Sequence, residues 1–284
     1  MKPLFMWAGG KTKMLKHYAG LMPAKFSNYV EPFFGGGAMF IWAYKKNPNA
    51  TFIINDINPG IMNIYSAIKN DLDRFLHKLD YLDSHYIPLN KDERGKFYFD
   101  LRHEHAYDYE KWDKTEEAAV LYFLMKTGFN GIWQINKNTN GRFGTPKGLL
   151  NQKVSVYDRE NILEWNIALQ KAVILSGDYE QTKSMITSDS FVFMDPPYRD
   201  SFTQYNIDFN DTEQIRLLDF MKELADTGAN VWLCNRDGED AFWDLNKRNF
   251  NIHKFPVTYT AGRRKKTSEG FQAKKAVEIL LTTF

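Results

Sequence analysis

Three observations predict an α/β fold, an open doubly wound sheet interrupted by a smaller, mainly helical insert. Short apolar runs ending in an acid or an amide recur along the chain. They are Val30 before Glu31, Phe52 to Ile54 before Asn55-Asp56, Val173 to Leu175 before Gly177-Asp178, Phe191 to Met194 before Asp195, and Val231 to Cys234 before Asn235. A glycine run, Gly35-Gly36-Gly37, opens the turn after the first of these and leads into a helical stretch. From about residue 61 to 165 the strand pattern gives way to helical spacing. The chain therefore divides into an α/β core, residues 1–60 and 166–284, and an insert, residues 61–165.

The elements follow in order. Asn28-Tyr29-Val30, the glycine turn, a helix from Ala38 to Ala43 and the strand Thr51 to Ile54 make a βαβ unit. In the insert, Ile61, Ile64, Tyr65, Ile68, Leu72, Phe75, Leu76 and Leu79 repeat at helical spacing, as do Ala118, Leu121, Tyr122 and Met125. Phe129-Asn130-Gly131 then opens a polar loop or hairpin that runs through turn-rich Asn138 to Gly148. The strand series resumes at Ala172. A helix over 212–227 is expected to start from a capping box of Asp211 and Gln214 and to stop at Gly228. The last strands, His253 to Thr258 and Val277 to Thr282, bracket a loop crowded with Arg263, Arg264, Lys265, Lys266, Lys274 and Lys275.

Composition narrows the class. With 284 residues, 43% apolar and 25% charged, the chain reads as globular. No apolar run reaches the roughly 18 residues that a membrane span needs. The start of the sequence has no apolar leader, and Cys234 is the only cysteine, so a reducing cytoplasm is expected and a disulfide framework or cysteine-cluster zinc site is not. The net charge of +2 does not by itself argue for a polyanion partner. Basic residues interleaved with aromatics in loops do suit phosphate contacts and base stacking. Cys234 reads as a packing thiol. His103 and His105 read as surface residues, and no histidine pair has metal-ligand spacing on a helix.

Asp195-Pro196-Pro197-Tyr198 carries the most chemistry. The prolines fix φ and remove two amide donors, so the turn offers carbonyl oxygens, a carboxylate and a flat ring. That set suits a planar group bearing an amine, such as adenine, although the four residues alone also describe an ordinary turn. Gly35-Gly36-Gly37 with Asp56 nineteen positions beyond resembles a dinucleotide fingerprint, but Phe40 stands where the third glycine belongs. A nucleoside without a pyrophosphate, such as S-adenosylmethionine, fits better than NAD. Ala8-Gly9-Gly10-Lys11-Thr12 is not a P-loop, because Phe5 replaces the required first glycine. Lys11 beside Trp7 could instead hold a carboxylate.

Taken together, these motifs resemble the Dam-type (class alpha) adenine-specific DNA methyltransferases, in the same order and over nearly the whole chain. The resemblance implies S-adenosylmethionine as methyl donor, double-stranded DNA as substrate, a flipped-out target adenine, and a mixed seven-stranded Rossmann-like core with a target-recognition insert. It implies a monomer, with dimerisation on DNA possible. Asp195, Pro196, Pro197 and Tyr198 would hold the target base. Trp7, Ala8, Gly9, Gly10 and Lys11 would be N-terminal cofactor contacts. Glu31, Pro32, Phe33, Phe34, Gly35, Gly36 and Gly37 would line the methionine part, Asp56 and Ile57 the ribose, and Asp178 and Tyr179 the cofactor adenine, with Asp195 bordering both ligands. DNA contacts would come from Met6, Asn130, Gly131, Gln134, Asn136, Arg142 and Lys147, and from Arg263, Arg264, Lys265 and Lys266. Prototypes that methylate G-A-T-C carry lysine where this chain has Met6 and arginine where it has Gln134, which points to a different or relaxed target. The same motifs would also serve an RNA adenine or cytosine-N4 methyltransferase, or a silent DNA-binding module.

Overall fold

A computed structural model describes residues 1–7, 9–199, 209–238, 240–259, 265–267, 270–272 and 274–283, with backbone alone at 259, 265–267, 270–272 and 274. Its centre is a seven-stranded sheet in the order β3-β2-β1-β4-β5-β9-β6. The strands are β1 (Asn28–Glu31), β2 (Thr51–Asp56), β3 (Ala172–Ser176), β4 (Ser190–Met194), β5 (Asn230–Arg236), β6 (Asn251–Tyr259) and β9 (Lys274–Thr282). A short antiparallel pair, β7 (Lys265–Thr267) and β8 (Gly270–Gln272), lies between the last two. Strands β1 to β5 run parallel, while β9 pairs antiparallel with β5 and β6. From β1 the chain builds outward through β2 and β3 on one side, and β4 and β5 build on the other. The switch point between β1 and β4 opens a crevice at their carboxyl ends.

Strands β1 and β4 are buried at every residue, as expected of parallel strands covered on both faces. Helix α1 (Leu15–Tyr18) precedes β1, and α2 (Ala38–Lys46) makes the first crossover. Helix α3 (Pro59–Asn70) starts where Asn58 accepts from the amides of Gly60 and Ile61, with proline at the first helical position. Helices α4 (Leu72–Tyr86), α5 (Lys91–Tyr107) and α6 (Lys114–Thr127) follow, α5 opened by a full capping box of Asn90 and Glu93. Helix α7 (Arg159–Leu169) returns the chain to β3, and α8 (Asp211–Asp226) and α9 (Phe242–Asn246) flank β5.

One hydrophobic cluster runs from Leu4 through α3 to α7 and on to Leu280, so the helical segment shares its core with the sheet. Helix α3 packs on β2, β3, α6 and α7, beginning at Pro59 rather than Ile61. Two local expectations are corrected. The cap of α8 is Asn210, whose side chain accepts from the Glu213 amide, and not a box built on Asp211; the residue that prefers to cap sits one place earlier. His105 is 3% exposed and not a surface residue, because α5 turns it toward Glu117 and Arg142.

Candidate active site

The carboxyl end of β4 places Asp195 against Lys11. The Lys11 ammonium lies 2.7 Å from both carboxylate oxygens and also donates to the Gly9 carbonyl at 2.8 Å. Lys11 is only 3% exposed. Burial opposes charge on Lys11, but the surrounding groups, Asp195 first and Glu278 after it, together outweigh it and hold the ammonium above the ordinary lysine pKa. Burial also raises the Asp195 pKa above the usual aspartate value, with Lys11 pulling the other way. The same ammonium sits 4.8 Å from the Tyr198 ring centroid, and the Tyr198 hydroxyl donates to Glu278 at 3.2 Å. An N-terminal lysine, a strand-end aspartate, an aromatic ring and a glutamate from β9 thus meet at one point.

A buried amide relay fixes the turn. Gln214, from α8, donates to the Pro197 carbonyl at 3.0 Å and accepts from Asn235 at 3.0 Å. Asn235 in turn accepts from the backbone amide of Arg199. Asn235 is therefore a brace for the proline turn, a role that its place at the end of β5 did not reveal. Arg199 pins the far end through Asp211 and Asp240. Cys234 is buried beside the Tyr18 hydroxyl at 3.4 Å, and burial pushes its thiol pKa up, which agrees with a packing role.

The ends of β1, β2 and β3 form the second half of the crevice. Asp56 accepts from the amides of Gly35 at 2.8 Å and Asn58 at 3.0 Å, so it shapes the glycine turn directly. Gly35 has φ of +48°, and a Cβ there would lie 2.5 Å from the Trp7 indole nitrogen, so glycine is required. Trp7 also lies against Gly36, while Gly37 packs on Trp165 and Phe34. Asn55 donates to the carbonyls of Pro32 and Gly177 at 3.0 Å and ties the three strand ends together. Glu31 is 3% exposed and accepts from the Tyr29 hydroxyl; burial drives its pKa well above the carboxylate range. Phe33 and Tyr179 pair at 5.2 Å, Ile57 is 44% exposed, and Asp178 is bonded by Arg216. Phe34 is 2% exposed and packs on Tyr65 and Trp165, so it is a core residue and not a lining one.

The polar loop folds beside this crevice. Asn130 has φ of +50° and is exposed, and Gly131 presses on the Met6 backbone, where a Cβ would lie 2.7 Å from the carbonyl oxygen. Met6 itself is 62% exposed, and Gln134 is half-buried, its carbonyl accepting from Gly144. Asn136 donates to the Gly144 carbonyl and so staples the loop. Lys147 lies along α5 at Gly95. Arg142 is paired with Glu117 at 2.5 Å and stacks over Tyr109, which makes it an anchor of the loop on α6 where a DNA contact was expected. Ala8, Arg263 and Arg264 lie outside the described residues, as do the side chains of Lys265 and Lys266. No cluster among the described residues has the composition of a metal site, and no described helix is long and apolar enough to cross a membrane.

The model of the D12 class N6 adenine-specific DNA methyltransferases matches residues 7–261. The type II methyltransferase M.MjaIII of Methanocaldococcus jannaschii is 35% identical over 265 residues, 89% of this chain and 90% of that protein. The type II methyltransferase M1.LlaDCHI of Lactococcus lactis subsp. cremoris is 30% identical over 302 residues, 100% of this chain and 96% of that protein. A DNA adenine methylase of Vibrio cholerae is 26% identical over 81% of this chain and 80% of its own. The chain belongs to the D12 class of N6 adenine-specific DNA methyltransferases, enzymes that methylate adenine in DNA at the exocyclic nitrogen.

Proposed function

We propose that the methyl donor is S-adenosylmethionine and that the acceptor is an adenine turned out of duplex DNA into the crevice beside Asp195. When bound, the donor supplies an electrophilic methyl group on a positively charged sulfur. The residues present fit such a group. The buried Tyr179 hydroxyl has no hydrogen-bond partner among the described residues, and it stands next to Phe33 at the strand ends where a polar ligand atom would satisfy it. Trp7, Gly9, Gly10, Phe33, Gly35, Asp56, Ile57, Asp178 and Tyr179 are the residues that would hold the donor.

The protein's own contribution is positioning and electrostatics. The adenine amine is a poor nucleophile because its lone pair is delocalised into the ring. Asp195 and the Pro196 carbonyl accept the two amine hydrogens and so localise that pair on the nitrogen. Lys11 keeps Asp195 aimed and compensates its charge in a buried setting. Tyr198 stacks on the base and offsets part of the few kcal/mol needed to flip it. The helical insert, residues 61–165, serves as the target-recognition unit. Met6, Asn130 and Gln134 face bases, while Arg263, Arg264, Lys265 and Lys266 contact phosphates.

The Lys11–Asp195 pair at the end of β4 is the observation that carries this reading. Asp195→Ala leaves Lys11 buried without its partner, so Asp195→Asn, which keeps the shape, is the sharper variant. Both are expected to lower single-turnover methylation of DNA by roughly two powers of ten or more while donor affinity changes little. Near wild-type turnover by both, with saturating donor, would overturn the assignment. Acidification should lower the wild-type rate as Asp195 takes a proton, and that loss should set in above the usual aspartate pKa, because its pKa is raised.

A further inference from the structure

We propose that Glu278, on strand β9 and far from every sequence motif of the site, is the positioning residue that sets the angle of the Tyr198 ring toward the target base. This rests on Tyr198 being the stacking platform.

Three observations carry it. Glu278 is 5% exposed in a strand whose next three residues, Ile279, Leu280 and Leu281, are fully buried and apolar. An acid in such surroundings costs free energy unless it is hydrogen-bonded, so its presence calls for a partner. The Tyr198 hydroxyl supplies one at 3.2 Å. Register fixes the other end of this contact. Glu278 lies opposite Arg236 of β5 and opposite Phe255 of β6, so its backbone is held by ladders on both sides. A rigid strand therefore holds the hydroxyl, while the Lys11 ammonium lies 4.8 Å from the centroid of the same ring.

The Pro196-Pro197 turn fixes the backbone of Tyr198 but leaves its side-chain torsions open. The hydroxyl bond to Glu278 restricts them. A ring set in advance at the stacking angle spends less conformational entropy when the flipped base arrives. The antiparallel strand that closes the sheet thus takes part in base capture, and not only in the fold.

A set of variants at these two positions tests this in single-turnover methylation of duplex DNA at saturating donor. Tyr198→Phe removes the hydroxyl and keeps the ring, and should slow transfer by about tenfold, the scale of one lost hydrogen bond that orients a group. Glu278→Leu should slow it as well, by no more than Tyr198→Phe, whose lost hydroxyl also bonds Asp195, and the double variant should be no slower than Tyr198→Phe alone, because Glu278 acts through that hydroxyl. Glu278→Gln keeps an acceptor oxygen and should stay within about threefold of wild type. Additive losses in the double variant, a wild-type rate for Glu278→Leu, or Glu278→Gln as slow as Glu278→Leu would each overturn the proposal. If Glu278→Leu does not fold, equal rates for Tyr198→Phe and wild type would do the same. Tyr198→Ala separates the two readings: full activity there would remove the stacking role of Tyr198 itself, whereas loss there with no effect at Glu278 defeats only the positioning role.

Discussion

At the scale of single residues, His105 shows what spacing hides. His103 and His105 are two positions apart on α5, and side chains two apart on a helix do not share a face. On this helix His103 is exposed, while His105 faces the side that packs on α6. His105 is the buried one, and neither of its ring nitrogens has a hydrogen-bond partner among the described residues. Burial, aided by Arg142, lowers its pKa to about 4. The sign follows from linkage: the unfolded chain takes up this proton near pH 6.5 and the folded one only near 4. Stability from this site is therefore complete above pH 6.5 and is lost as the pH falls toward 4, by about 3 kcal/mol in all. His105→Leu should flatten the loss of stability between those two pH values relative to wild type. Parallel denaturant midpoints for the two proteins over that range would show that His105 takes up its proton as easily folded as unfolded.

At the scale of elements, the N-terminal strap from Met6 to Lys11 joins parts that the sequence presents as separate motifs. Met6 lies against the Asn130-Gly131 turn, Trp7 is set between the Gly35-Gly36 turn and Trp133, and Lys11 reaches Asp195. Each motif was legible because its residue types are unusual: a lysine after two glycines, three glycines after a strand, prolines after an aspartate. The contacts between them were not legible, since they depend on packing between segments distant in sequence. Gly131 is the place to test the coupling. Its φ is +62°, and an added Cβ would lie 2.7 Å from the Met6 carbonyl oxygen, a backbone atom that cannot swing aside. Gly131→Ala should cost more than about 1 kcal/mol and lower Tm by a few degrees. Because the strap continues through Trp7 onto the glycine turn, the variant should raise the KM for DNA and weaken donor binding together. A rise in the DNA KM with donor affinity untouched would show that the strap does not transmit the disturbance.

At the scale of the whole molecule, strand-end acids and amides were enough to place the crevice, because a parallel sheet with one switch point leaves few places for them to converge. The resemblance implied a mixed seven-stranded sheet, and the antiparallel strand proves to be β9. What no local pattern could show was that residues 61–165 would share one hydrophobic core with the sheet, since core continuity is a property of packing. That shared core bears on target choice. The polar loop is anchored by Arg142 on Glu117 and by Asn136 on the Gly144 carbonyl, so Gln134, proposed to face a base, sits on a firm support. Gln134 in that loop, and Met6 on the strap beside it, differ from the residues of prototypes that read G-A-T-C. Met6 has no hydrogen-bond donor on its side chain, and Gln134 lacks the charged fork that pairs with guanine and is better matched to adenine. Losing one such guanine contact removes about 1–3 kcal/mol of discrimination, roughly one to two powers of ten at that base. Arg142, the nearest arginine in the loop, is spent on Glu117 and Tyr109 and so is not placed to compensate. The enzyme should therefore methylate adenine in a site other than strict G-A-T-C, or in a relaxed context. Mapping modified adenines across a plasmid after limited and after exhaustive reaction tests this. Methylation confined to G-A-T-C in both samples would mean that other residues make the guanine contacts. In that event Gln134→Arg should leave the target unchanged, whereas a loop that reads as argued here should gain preference for guanine at one position by at least about tenfold.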